Sequence, residues 1–322
     1  MTKTKLLIIL LFAAFIVSGT VFAQRFSGRG GRGGGGSRGM GMGGGRARTQ
    51  MRIPNPQYLD SRNGIPDWEV DNEFNQDVFT FVRIRYSSGY GGRTSGYGGR
   101  GGRFGGPGAG GFGGGMRGGS GGSWRTDYPD SDLNFSYRLH QLTSMEVNPD
   151  GLVLELTDPE LFNYPFIYIL EPGSLVFSEE EVKALRSYLL NGGFLMIDDF
   201  WGRAEWYNIY YEIKRVFPEK EPIPLTLEHP IFHCVFELKE MPQIPSIDFA
   251  LRGETTERSD APRAIYYGIY DDKGRMMVII CRDTDLGDGW EREGENEWYF
   301  HEFSEKKAYP LGINIVFYAM TH

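Results

Sequence analysis

Residues 165–199 read PFIYILEPGSLVFSEEEVKALRSYLLNGGFLMIDD and decide the fold class. Two continuous apolar runs, 165–170 and 194–198, predict buried strands. Between them, Ser178 and Glu181 have the spacing of a capping box at the start of a helix, and the Asn-Gly-Gly that follows suits its end. Because strand, helix and strand are joined by short connections, they predict a right-handed βαβ unit with parallel strands.

The same alternation continues on both sides of this unit. It predicts a strand at 77–86, a helix from Asp130 or Ser131 to about Thr143, a helix at about 204–217, a hairpin within 264–285 and a closing helix at 311–320. Strands that alternate with helices predict an α/β fold with a mixed, mostly parallel central sheet.

The first residues, 1–23, have the form of a secretory signal peptide. Lys3 and Lys5 precede a short apolar region, and Val21 and Ala23 are small residues at a cleavage site. We therefore expect an exported protein, periplasmic or secreted. An uncleaved membrane anchor is the alternative, and no later segment is long and apolar enough to span a bilayer.

Glycine and arginine concentrate in two segments. Residues 25–48 hold 12 of the 46 glycines and residues 87–122 hold 20, and neither stretch contains Asp or Glu. Such composition cannot bury enough apolar surface to offset chain entropy. We expect a disordered Gly/Arg-rich region and linker at 24–75 and an α/β domain at 76–322, interrupted by a disordered Gly-rich loop at 87–123.

Charge is distributed just as unevenly. The formal net charge is −8, but 14 of the 34 positive side chains lie in the signal segment and the two arginine-rich segments, so the remaining chain carries −22. Arginine interleaved with Tyr and Phe is typical of single-strand nucleic-acid binding. Export and an acidic body that repels phosphates argue against that function. The expected partner is an unknown envelope protein or a small ligand.

The chain has two cysteines, Cys234 and Cys281. An oxidising compartment permits a disulfide between them, while apolar flanking residues equally suit two buried thiols. Two cysteines are too few for a thiolate metal site.

Several separate blocks together resemble the bacterial family called domain of unknown function 4159: FVRIRY at 81–86, TDYPDSDLN at 126–134, the 178–199 block, EHPIF at 228–232 and GINIVFYA at 312–319. The resemblance covers about 77–322. The helix–Asn-Gly-Gly–strand block with a downstream His-Pro also resembles the class I glutamine amidotransferase-like superfamily. That resemblance implies a three-layer, flavodoxin-like sandwich. It implies no activity, because the family has none assigned.

The sequence departs from the amidotransferase pattern at the nucleophile. Active members present a cysteine on the tight turn after a central strand, whereas here the turn after PFIYIL reads Glu171-Pro172-Gly173-Ser174. Ser174 lacks the flanking glycines of a nucleophile elbow. Glutaminase activity is therefore not expected, and the sequence favours a domain that is not an enzyme.

Acidic residues follow the predicted strands. Since ligands of open α/β sheets bind beyond the carboxyl ends of parallel strands, the ligand-binding candidates are Asp198, Asp199, Glu171, Asp127, Asp130 and Asp132. They could hold a divalent cation, with Asp198 and Asp199 as its first ligands, although no cofactor is predicted outright. The alternative is structural: helix caps, turn caps and solvated charges.

Three further features have two interpretations each. His229, before Pro230, resembles the family's His-Pro position and is a candidate, with a structural loop histidine as its alternative. Arg83 and Arg85 suit either anion binding or ion pairing. DTDLGDGWE at 283–291 superficially resembles a calcium loop but fails the EF-hand pattern, and an incidental acidic turn is expected.

Three function classes follow from these observations. The first is an exported, non-catalytic α/β domain that binds a ligand or envelope partner at the strand ends. The second is a metal-assisted hydrolase that uses the clustered carboxylates. The third is an interaction protein that acts through its Arg-Gly-rich arms.

Overall fold

The computed structural model describes residues 62–70, 77–88 and 123–322. The predicted signal peptide and the remainder of the Gly/Arg-rich segments lie outside these residues. Within them, seven strands form one sheet in the order β2-β1-β3-β4-β7-β6-β5. The strands are β1 Val82–Ile84, β2 Leu152–Leu154, β3 Phe166–Leu170, β4 Phe194–Asp198, β5 Ile223–Pro224, β6 Ile265–Tyr270 and β7 Met276–Arg282.

The sheet is mixed and mostly parallel, as predicted. β1 pairs in parallel with β2 and β3, and β4 pairs in parallel with β3 and β7. β6 runs antiparallel to β7, and β5 runs antiparallel to β6. The strand order reverses at β1, so the topological switch point of the sheet lies between β1 and β3. The carboxyl ends of β1, β2, β3, β4 and β7 meet at one edge, named here the strand-end edge.

The helices are α1 Asp130–Leu142, α2 Glu179–Leu190, α3 Gly202–Val216, α4 Ile247–Leu251, α5 Leu286–Glu291, α6 Glu297–Tyr299 and α7 Tyr309–Thr321, with a π-helix at Phe300–Ala308 between the last two. The predicted capping box is present at α2. The Ser178 hydroxyl accepts from Glu181 N at 3.2 Å, and the Glu181 carboxylate accepts from Ser178 N at 2.7 Å.

Helices cover both faces of the sheet. Phe166 and Tyr168 of β3 enter the core that contains the buried residues of α1 and α7, whereas Ile167 enters the core formed with α2 and α3. Alternate residues of a strand point to opposite faces, so the two cores lie on opposite sides of the sheet. The result is an α/β sandwich, with a strand order that is compatible with a flavodoxin-like sheet.

Two segments differ from expectation. Residues 286–291, expected within an acidic turn, form the buried helix α5, because Asp285 caps its start and Trp290 is fully buried in the core. Residues 62–70, expected in the linker, pack against the domain. The Trp68 ring stacks on His140 with centroids 4.6 Å apart, and its Nε1 donates to the Val147 carbonyl at 2.9 Å.

The cysteines carry free thiols. Cys281 is fully buried in β7, and Cys234 donates a hydrogen bond to the Asn314 carbonyl of α7. Among the described helices, none combines the length and the apolar character needed to cross a membrane.

Candidate functional site

Four acidic residues at the strand-end edge have left-handed backbone conformations. Glu171 follows β3 directly, Asp199 follows β4 and Asp283 follows β7, with φ of 47°, 53° and 60°. Asp127, three residues before α1, has φ of 59°. Left-handed backbone is unfavourable for residues with a Cβ, and such strain concentrates at functional sites. The chain therefore turns sharply at an acidic residue four times in this region.

Helix α5 brings two more acids to this edge. Asp285 caps the helix, since its Oδ1 accepts from Asp288 N at 2.7 Å. Asp288 and Glu291 are three residues apart and so lie on the same face of the helix. Asp288 is 4 % exposed.

Asp198 fixes the position of α5. Its Oδ2 accepts hydrogen bonds from Leu286 N at 2.9 Å, Gly287 N at 3.2 Å and the Tyr168 hydroxyl at 3.0 Å. Its Oδ1 is buried and accepts no hydrogen bond. Asp198 is thus the link between the end of β4 and the first turn of α5.

Asp127, Asp288 and Glu291 form a compact group, named here the acid triad. One carboxylate oxygen from each lies within 4.8 Å of the others. Asp127 Oδ2 and Glu291 Oε2 are both buried and accept no hydrogen bond. Both oxygens of Asp288 already accept hydrogen bonds, Oδ2 from Ile247 N and the Tyr299 hydroxyl and Oδ1 from Arg292 Nε. Convergent carboxylate oxygens are nevertheless the ligands that a hard cation prefers.

Gly287 makes the close approach of Asp127 to α5 possible. A Cβ at this position would lie 2.6 Å from Asp127 Oδ2, 3.0 Å from Leu170 Cδ1 and 3.2 Å from the Tyr168 hydroxyl. The first of these distances is shorter than carbon–oxygen contacts allow, so any side chain at 287 would displace the Asp127 carboxylate.

The acids at this edge perturb one another. Burial raises the pKa of Asp127 well above its ordinary value, and the charges of Glu291 and Asp288 raise it further. Burial raises the pKa of Glu291 to about 7, against the opposing effect of Arg292. Burial also raises the pKa of Asp199 and Asp285, and each is raised further by neighbouring carboxylates. The region holds more negative charge than its surroundings stabilise.

Two arginines lie among these acids, and both have partners. Arg292 Nε lies 3.2 Å from Asp288 Oδ1 and 2.7 Å from Glu291 Oε2. Arg83 is fully buried and binds the Asp132 carboxylate in a bidentate contact. Its Nη1 also donates to the carbonyls of Trp124 and Thr126, which holds the turn that carries Asp127.

The structure brings together only part of the candidate set. Asp127, Asp198 and Asp199 lie in the acidic region described above. Glu171 is beside it, where its Oε2 accepts from the Thr126 hydroxyl at 2.8 Å. Asp132 is the partner of Arg83, as the ion-pairing interpretation expected for that arginine.

The remaining candidates have local partners. Asp130 accepts from the Asn63 side chain at 2.6 Å. His229 caps a short 3₁₀ turn through Nδ1, which accepts from Ile231 N, and its Nε2 lies 3.1 Å from the Tyr270 hydroxyl. Tyr270 ends β6 opposite Met276, the first residue of β7. His229 therefore lies near the amino end of β7, away from the acid triad.

Sequence reasoning missed Asp285, Asp288 and Glu291 as site residues. A signal was present in the sequence, because Asp285 stands three residues before Asp288, the spacing at which an N-cap side chain accepts from a backbone N–H of the first turn. A helix of six residues with two glycines gives too weak a periodic pattern to recognise.

The turn directly after β3 holds Glu171, and neither cysteine lies on it. Cys281 lies within β7, and burial raises the pKa of its thiol well above the ordinary value. Burial also raises the pKa of Cys234. Neither thiol has the lowered pKa of a reactive nucleophile.

Comparison with known proteins places this domain in a family. No curated protein matches the chain. Residues 115–320, more than half of the chain, match the family described as Domain of unknown function (DUF4159). The matched residues include the Asp127 turn, the βαβ unit and α5. The chain belongs to the DUF4159 family.

Proposed function

We propose that this domain binds a divalent cation at the acid triad and that the strand-end edge is its ligand-binding surface. The observation that carries the proposal is the convergence of one oxygen each from Asp127, Asp288 and Glu291 within 4.8 Å. Asp127 and Glu291 each also have a buried oxygen that accepts no hydrogen bond. A bound cation would satisfy these lone pairs and neutralise the excess charge.

The donor set favours a hard ion. All three residues offer carboxylate oxygens, which suit Mg²⁺, Ca²⁺ and Mn²⁺ better than ions that prefer nitrogen or sulfur. Three carboxylates leave coordination positions for water or for an anionic group of a ligand. A ligand that completes the shell would sit at the edge where open α/β sheets bind theirs, next to the switch point between β1 and β3.

Binding without catalysis is the function that we infer first. Glu171 occupies the turn where an amidotransferase-like protein has its nucleophile, and both cysteines have raised thiol pKa values. The strand order supports a place in the class I glutamine amidotransferase-like superfamily, which is part of the proposal.

Isothermal titration calorimetry on the metal-stripped full chain tests cation binding. We expect one of Mg²⁺, Ca²⁺ or Mn²⁺ to bind, and Glu291→Gln and Asp127→Asn to weaken its affinity at least tenfold, since each removes one charged ligand. Glu295→Gln is the matched control, because Glu295 also pairs with Arg292 but has a side chain 54 % exposed and lies outside the triad. Absence of binding, or equal affinities in all variants, would refute the proposal.

Metal-assisted hydrolysis is a second candidate, favoured by Asp199. This residue is 7 % exposed, its Oδ1 accepts from Trp201 Nε1 at 3.1 Å, and burial and the nearby Glu171 raise its pKa. A carboxyl group with a raised pKa beside a cation can act as a general base near neutral pH. A panel of phosphate and carboxylate esters, assayed with the bound cation, tests this function. Turnover that survives Asp199→Asn would exclude Asp199 as the base.

Export is a further part of the proposal, supported by the signal-peptide pattern of residues 1–23. N-terminal sequencing of the mature protein should begin at Gln24, and retention of residues 1–23 in a membrane fraction would favour the anchor instead. The Arg-Gly-rich arms as interaction segments are tested by deleting residues 87–122, and an unaltered phenotype would argue against that role.

A further inference from the structure

Arg282 is a recessed arginine at the strand-end edge, on the other side of β7 from α5. It is the last residue of β7, and its side chain is 11 % exposed. Of the arginines that form ion pairs in the described part of the chain, only Arg83 is more buried. Its guanidinium carbon lies 5.1 Å from the ring centroid of Trp206 in α3, which itself stacks on Tyr267. One face of the guanidinium is therefore covered by an aromatic ring.

The hydrogen-bonding groups of Arg282 are mostly unused. Nε is buried and lies 3.1 Å from Asp283 Oδ2, without the geometry of a hydrogen bond. No described residue accepts a hydrogen bond from the terminal Nη1 or Nη2 groups, which reach the surface. By contrast, Arg83 donates from all three nitrogens, and Arg275, with a side chain 22 % exposed, donates to three backbone carbonyls. Because the Nη groups reach the surface, an acceptor with two oxygens could replace solvent on both donors of one positioned guanidinium.

The surrounding charges leave one side of this guanidinium open. Asp283 faces the Nε side, and its other oxygen, Oδ1, accepts from Gly202 N at 2.7 Å at the start of α3. The nearby Asp260 accepts from Arg203 N and lies 3.7 Å from the Arg203 side chain. Both carboxylates are therefore held by other contacts, and the Nη side of Arg282 faces outward.

We propose that the Nη groups of Arg282 bind an oxyanion, the carboxylate or phosphate of an anionic ligand. The paired N–H groups of a guanidinium match two oxygens of either group, and partial burial strengthens the contact. This inference extends the proposed function by naming the ligand class. It rests on that function only for the use of the strand-end edge, because the anion contact does not require the cation.

Calorimetry on the full chain tests the oxyanion site, with acetate and inorganic phosphate titrated separately in EDTA. The buffer contains about 150 mM NaCl, which limits the Debye length to about 8 Å and suppresses loose binding by the arginine-rich segments. We expect one of the two anions to bind at millimolar concentration or better and to identify the preferred group. Arg282→Lys, which keeps the charge but loses the paired donors, and Arg282→Gln should each weaken that binding at least tenfold.

Arg203→Gln is the matched control. Arg203 lies at the start of α3, the helix that carries Trp206, but its side chain is 75 % exposed. Its affinity for the anion should stay within twofold of the unaltered chain. If Arg282→Gln does not fold, as judged by thermal melting, the comparison rests on Arg282→Lys, which keeps the aliphatic stem against Trp206. Failure of both anions to bind, or equal affinities for all variants, would overturn the inference.

Glu291→Gln separates this site from the cation site. If both proposals hold, Glu291→Gln loses cation affinity but binds the anion in EDTA as the unaltered chain does. If the chain binds a cation but binds no anion through Arg282, the oxyanion site alone is overturned. If it binds an anion through Arg282 but binds no cation, the acid triad alone is overturned.

Discussion

Asp198→Asn should change the stability of the domain in opposite directions at low and high pH. The wild-type carboxylate is fully buried, and burial raises its pKa to about 7 from an ordinary 3.8, despite the hydrogen bonds that oppose the rise. Its Oδ2 accepts three hydrogen bonds, from Tyr168, Leu286 and Gly287, while its Oδ1 accepts none.

The sign of the effect follows from proton linkage. Because the folded state has the higher pKa, it holds a proton between about pH 4 and pH 7 that the unfolded chain has released. The contribution of Asp198 to the free energy of unfolding is therefore largest below about pH 4 and is lost as the pH rises through 7. A difference of about three pH units between the two pKa values corresponds to about 4 kcal/mol.

Asparagine removes this charge but keeps an acceptor. Its amide oxygen can replace Oδ2 and retain the three hydrogen bonds, whereas its NH₂ group replaces Oδ1 without an acceptor, which costs about 1–3 kcal/mol. Near pH 4, where the aspartate is already neutral, the variant should be less stable by about that amount. Near pH 8 the variant avoids the cost of about 4 kcal/mol for the buried charged carboxylate. This gain should exceed the cost of the unpaired amide NH₂ group and leave the variant more stable by about 1–3 kcal/mol.

Urea denaturation of the full chain in EDTA, near pH 4 and near pH 8, measures both differences. Asp272→Asn is the control, since the Asp272 side chain is 96 % exposed and its removal should not alter the pH dependence. A stability difference between Asp198→Asn and the unaltered chain that is the same at both pH values would refute the reasoning.

Three further outcomes are expected. Gly287→Ala should weaken cation binding at least tenfold in calorimetry, because its Cβ would displace the Asp127 carboxylate. The overpacking should cost about 1–3 kcal/mol of stability, partly offset by the better helix propensity of alanine. Unchanged cation affinity would contradict the placement of Asp127. Arg83→Met should lower the free energy of unfolding in urea by about 3–5 kcal/mol, since it leaves Asp132 buried without its partner; a loss below about 1 kcal/mol would show that the pair contributes little. Cys234→Ala should leave cation affinity unchanged, and a lost calorimetric signal in a folded variant would bring the thiol into the site.

Much of the fold could be predicted because its elements carry strong local signals. β4 begins and ends at the predicted residues, α2 begins at its capping box, and the hairpin turns at Asp271 to Gly274. These signals act within a few residues of each other. The first strand is shorter than predicted, since Val82–Ile84 form the ladder with β2 and Phe79 makes an isolated bridge to Val147.

The site was only partly predictable, because it depends on contacts between distant parts of the chain. Asp198 could be placed at the end of a strand, but its partners Leu286 and Gly287 lie nearly ninety residues away in sequence. Asp288 and Glu291 required recognition of a six-residue helix that is stable only through burial. Short helices of this kind give little local signal, so their acids read as loop residues.

The position of β1 also determines what can be removed from this protein. β1 lies between β2 and β3, inside the sheet, although residues 89–122 separate it from α1 in the chain. A fragment trimmed to the family match, 115–320, would lack this strand and leave a gap between two others. The same arrangement favours fragment complementation: a peptide spanning 62–88, supplied separately, would restore a missing interior strand and bring Arg83 back to Asp132. If such a peptide binds, the folding of the trimmed domain would depend on the concentration of the added peptide.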